Sequence, residues 1–99
     1  SGIGIPKNMR EAARWYQLAA DNNYPQAQAR MGYLCTKGVG VVLDYEQAYF
    51  WYLLATANEE DVTSQRDQVS GQLSSDQRQR LQKQAKQWLD EYFKRESEY

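Results

Sequence analysis

The chain contains one stretch twice. Residues Gly2–Leu18, GIGIPKNMREAARWYQL, align without a gap on Gly38–Leu54, GVGVVLDYEQAYFWYLL. Gly2 stands against Gly38, Gly4 against Gly40, Ala12 against Ala48, Trp15 against Trp51, Tyr16 against Tyr52 and Leu18 against Leu54. The shared offset of 36 residues, Gly2 to Gly38, is the length of two short helices and two turns. Self-similarity at such a period is the mark of stacked supersecondary units, each too small to hide its own apolar face.

Local signals divide the chain into about five helices. Gly2 and Gly4 suit a turn with positive φ. Asn8 then reads as an N-cap with Glu11 as its capping-box partner, opening a helix over residues 8–22 that carries Ala12, Trp15, Tyr16, Ala19 and Ala20 at helical spacing. Pro25 suits the first position of the next helix, which runs to about residue 37 and ends at Gly38. Gly32 inside that helix costs about 1 kcal/mol relative to Ala, and close approach of a neighbouring helix would offset it. Asp44 and Gln47 repeat the capping pattern and open a third helix to about Asn58.

Beyond Asn58 the register slips. Deleting one residue restores the apolar positions by setting Val62 over Ala27 and Val69 over Leu34. Residues 61–71 are therefore expected as a degenerate fourth helix opened by Asp61. Ser74 or Ser75 caps a fifth, with Leu81, Ala85, Trp88, Leu89, Tyr92 and Phe93 on one stripe. The expected organisation is a single repeat domain, 1–99. It divides into the end of a first repeat (2–22), a second full repeat (23–58), and a degenerate repeat with a closing helix (59–99).

These residues resemble the Sel-one-like repeat family, relatives of the tetratricopeptide solenoids. Ala27-Gln28, Met31-Gly32, Gly38-Val39-Gly40-Val41, Asp44, Ala48, Trp51-Tyr52 and Ala55 carry the resemblance, and Gly2, Gly4, Ile5, Ala12, Trp15-Tyr16 and Ala19-Ala20 carry it again. Cys35 stands where the family usually has Tyr, and Asn23 and Glu59 where it usually ends a helix with Gly. The resemblance implies an all-α, right-handed superhelical α/α solenoid of antiparallel helix pairs that binds a protein or peptide. It extends to multi-repeat adaptors in bacterial envelopes, secretion and signalling, without choosing between periplasm, envelope and cytoplasm. The chain is expected to be the capped C-terminal end of a longer repeat protein.

Composition restricts the chemistry. The net charge is −1 with signs interspersed, which offers no electrostatic footprint for nucleic acid. The absence of histidine removes the commonest general base and metal ligand. The single cysteine, Cys35, falls on a predicted helix face and reads as a small buried hydrophobe. No apolar run nears the ~20 residues that span a bilayer. The Gly2–Gly4 and Gly38–Gly40 pairs complete no phosphate-loop motif. Glu59-Glu60-Asp61 suits a helix N-terminus better than a metal site. No catalytic, cofactor or metal site is expected.

Eight tyrosines exceed what the core faces need, Tyr24, Tyr33, Tyr45 and Tyr49 among them. Aromatic residues with a polar handle suit binding surfaces. The less apolar face of the second helix presents Gln26, Arg30, Tyr33 and Lys37, with Arg30 and Tyr33 as the favoured partner-binding pair. The expected function is non-catalytic protein–protein interaction. The alternatives are a regulatory or targeting domain of an enzyme whose catalytic part lies upstream, or a cell-envelope glycan binder. The two copies also differ: Ala13, Arg14 and Gln17 face Tyr49, Phe50 and Leu53. The closing helix is expected to cover that extra apolar surface through Leu81, Trp88 or Leu89. At the other end, Trp15 and Tyr16 lack a preceding helix, so self-association there is expected of the isolated fragment.

Overall fold

The computed structural model describes residues 6–98, and side chains from Asn8 onward. The expected Gly2–Gly4 turn lies outside the described residues. Five helices follow in order: α1 (Pro6–Asp21), α2 (Pro25–Lys37), α3 (Tyr45–Ala57), α4 (Thr63–Ser70) and α5 (Ser75–Glu96). Among the described residues every regular element is helical. The molecule is a slab of 47 × 37 × 20 Å, its thinnest dimension that of two helix layers.

Helix α1 begins earlier than expected. Asn8 lies two residues inside it, so the Asn8–Glu11 pair cannot be its cap. Pro6 is its first residue, where a fixed φ favours the helix and the missing N–H costs nothing. The other helix ends follow their local signals. Pro25 opens α2, and Gly38 closes it at φ 67°, donating its N–H to the Leu34 carbonyl at 2.8 Å. The Asp44 carboxylate accepts the Gln47 N–H at 3.1 Å and starts α3. Ser74 and Gln77 complete a reciprocal capping box at the start of α5. Helix α4 departs from expectation, since Val62 and not Asp61 holds its N-cap position, with no side-chain cap. Val62 is buried there and Val69 with it, so apolar burial sets the start of this helix. Both valines of the slipped register thus face the core.

Helices α2 and α3 form the central pair, with α1 on one side and α4 and α5 on the other. A Cβ on Gly32 would lie 2.5 Å from the Tyr52 ring, so the glycine is the notch into which that tyrosine packs. Gly40, at φ 76°, brings the α2–α3 loop against α1, where a Cβ would meet the Met9 carbonyl oxygen at 2.5 Å. Ala48, Trp51, Tyr52, Leu54 and Ala55 of α3 are all buried.

One buried polar side chain pins the repeats together. Gln28 is fully buried, and its amide nitrogen donates to the Ala20 carbonyl at 3.2 Å and to Asn23 Oδ1 at 2.9 Å. Its amide oxygen accepts from Asn58 Nδ2 at 3.1 Å, which also donates to Asn23 Oδ1 at 2.8 Å. A buried amide with these partners avoids the desolvation cost of an unpaired one. Asn23 (φ 62°) and Glu59 (φ 68°) hold the left-handed backbone at the ends of α1 and α3, in the positions where a glycine was expected.

Helix α5 lies along α3. Glu46 of α3 accepts from Gln77 and Arg80, Tyr49 from Gln82, and Trp51 meets Trp88 edge-on at 6.5 Å. Contacts ascend together on the two helices, so they run in the same direction. Leu81 and Ala85 are buried and Trp88 and Leu89 half-buried, on the face that the Tyr49 to Leu53 segment needs covered. At its far end the Tyr92 hydroxyl donates to the Asn22 carbonyl at 3.1 Å, beyond the last turn of α1.

Candidate partner-binding surface

Helix α2 has two faces because its apolar residues recur at helical spacing. Ala27, Met31, Leu34 and Cys35 turn inward with Gln28 and Gly32. Gln26, Arg30, Tyr33 and Lys37 turn outward, one per turn, and all four are exposed. The expected partner-binding residues therefore share one surface. They do not share one environment.

Arg30 is placed by its neighbours. Its guanidinium lies 5.8 Å from the ring centroid of Tyr16 on α1 and 5.8 Å from that of Tyr33. At an exposed site each such contact favours this placement by about 0.5–1 kcal/mol and leaves the guanidinium N–H groups facing a partner. Tyr33, at 45% exposure, is the aromatic in this array that solvent reaches most freely.

Tyr33 and Lys37 also line a cleft of about 380 Å³ between α2, the start of α3, and α4. Tyr45 forms its end, Tyr52 and Val69 lie on its floor, and Gln65, Gln68 and Gln72 form the opposite wall. Burial raises the Tyr52 phenol above its usual range. Gln26, a turn beyond Arg30, lies outside the cleft. The glutamine wall was not among the expected site residues. Gln65 and Gln68 lie one turn apart on the polar side of α4 and Gln72 in the turn after it, and only the packing of α4 against α3 brings them opposite α2.

The remaining singled-out residues divide by role. Gly38 and Gly40 shape the α2–α3 turn, and Ala48, Trp51 and Tyr52 belong to the core. In the first copy Ala12 and Tyr16 are half-buried, while Trp15 is 71% exposed. Tyr49 is buried and its hydroxyl accepts from Gln82, so it is a core residue; Tyr24 is exposed. Cys35 is buried, and its thiol is pushed up to about 11 by burial first and by the Asp44 charge second. Such a thiol is not ionised at neutral pH and makes a poor nucleophile. Among the described residues no group of three or more acidic, cysteine or histidine side chains could hold a metal ion, and no helix is long and apolar enough to cross a membrane.

Comparison with known proteins gives this geometry a family. The chain is 37% identical over 51 residues to chitin synthase regulatory factor 3 of Schizosaccharomyces pombe. That match covers 52% of this chain and 6% of the length of the relative. No solved structure matches the chain. The family model of the Sel1 repeat matches twice, at residues 1–24 and 25–59, the first match ending in the α1–α2 turn and the second just past α3. With more than half of its residues inside these two matches, the chain belongs to the Sel1 repeat family.

Proposed function

We propose that the chain is a non-catalytic module that binds a protein partner on the exposed face of α2, with Arg30 and Tyr33 as the central contacts and Gln26 and Lys37 beside them. Sel1 repeats and a relative named as a regulatory factor support an interaction or regulatory repeat module. The observation that carries the choice of surface is the Tyr16–Arg30–Tyr33 array. Arginine and tyrosine are among the residue types that dominate interface energies, and here they lie side by side on the exposed face. The second repeat and the closing helix α5 supply the rigid support.

The test is capture of a partner from lysate by three baits: the chain itself, Arg30→Ala/Tyr33→Ala, and a control altered on α5, Lys83→Ala/Lys86→Ala. A protein held by the first and third baits and lost from the second is the expected result. A protein held equally by all three would overturn the assignment. The relative's name favours one further reading, that binding at this surface regulates another protein. Activity of the captured protein with and without the chain tests it.

A further inference from the structure

We infer that the cleft between α2 and α4 is a binding site for an extended peptide segment carrying an acidic side chain. The inference rests on the proposed function above and names the chemistry of the partner.

The first ground is charge. Lys37 stands at the mouth of the cleft, and Arg30 lies one turn beyond Tyr33. Among the described residues neither cation is ion-paired, the two pairs being Arg66–Asp67 and Arg80–Glu46. None of the side chains lining the cleft is acidic. Asp44, next to Tyr45, is turned to the start of its own helix by the Gln47 N–H. In a chain of net charge −1, the charged side chain that lines this cleft is thus a cation, complementary to a carboxylate.

The second ground is the opposite wall. Gln65, Gln68 and Gln72 are all exposed and line the cleft, the first two from α4 and the third from the turn that follows it. A primary amide donates and accepts, as a peptide backbone does. Along α4 the first two rise by about 4.5 Å. Three such amides on one wall suit the backbone of an extended strand, and a backbone without its own helical hydrogen bonds is the ligand that needs them. Tyr33 and Tyr45 add flat apolar surface for intervening side chains. At about 380 Å³ the cleft is of the size that ligand sites occupy.

The test uses the whole chain as bait for a phage-displayed library of random peptides about nine residues long, followed by anisotropy titration of the enriched sequence. The expected result is an Asp or Glu at one fixed position of the enriched set. Lys37→Glu should weaken the selected peptide at least about fivefold. Replacing the peptide's acid with Lys should restore binding to that variant. The Gln65→Ala/Gln68→Ala/Gln72→Ala variant should weaken binding by about fivefold or more. All these positions are exposed, and helical circular dichroism should be unchanged. A peptide lost on Arg30→Ala/Tyr33→Ala but indifferent to Lys37 and the glutamines would overturn the cleft and leave the α2 surface standing. Enrichment of no peptide, or of one indifferent to every variant, would overturn both.

Discussion

Helices α1 and α3 carry the same motif and live in different surroundings. Trp51 is 4% exposed and Trp15 71%; Leu54 is 0% exposed and Leu18 54%. The side chains are identical, and so is their spacing. Helix α3 is enclosed by α2, α4 and α5, while α1 has α2 as its main neighbour among the described residues. A repeat motif therefore encodes a face that can be buried, and the neighbours decide whether it is. The copies also differ in sequence where α5 is fastened: Arg10 stands where the second copy has Glu46.

Five experiments would break or sharpen this contrast. Ending the chain at Ser75 removes the cover from Tyr49 and Trp51, and cooperative unfolding or aggregation should follow, read by circular dichroism and light scattering. A soluble product with unchanged melting would mean that α5 does not enclose α3. Trp51→Ala should cost about 3–5 kcal/mol in urea unfolding, against within about 0.5 kcal/mol for Trp15→Ala. Equal losses would erase the difference between the copies. Gly32→Ala should lose about 1–3 kcal/mol, despite the better helix propensity of alanine, because its methyl would strike the Tyr52 ring; stabilisation would show that the notch can open.

Glu59→Gly should raise stability by about 1 kcal/mol by relieving the left-handed backbone, with nothing lost in exchange. Asn23→Gly relieves the same conformation yet removes the acceptor shared by Gln28 and Asn58, so it should destabilise by about 1 kcal/mol. Melting temperatures moving the same way for both would refute the pairing. The smallest effect is on pH. Hydrogen bonds from Arg80 and then Gln77 hold Glu46 below its ordinary value of 4.5. Its contribution is fully present above that value and fades as pH falls through the lowered one. Glu46→Gln should therefore flatten the acid side of the stability profile, and a profile parallel to the parent's would show that the contact contributes nothing.

How much of this could be read beforehand follows from where each signal resides. The repeat, the helix order and the caps at Gly38, Asp44 and Ser74 are local, fixed by a few neighbouring residues, and they appear in the sequence. The start of α1 was misread because Asn8–Glu11 satisfies a capping pattern inside a helix that Pro6 already opens. Arg30 and Tyr33 were legible as the polar side of an amphipathic helix. The glutamine wall was not, because its meaning depends on how α4 turns after the register slips, and no apolar periodicity marks it. The motif alone does not tell Trp15 from Trp51, since burial belongs to the neighbours.

The length of α5 has a mechanical consequence. Repeat stacks bend like springs because each unit touches only the next. Here a helix about 33 Å long is fastened near its start to Glu46 of α3 and near its end to Asn22, just past α1, and so reaches from the second repeat to the end of the first. It acts as a splint across the joint between them. Bending that joint would stretch the Tyr92–Asn22 hydrogen bond, so this contact opposes flexing between the two repeats.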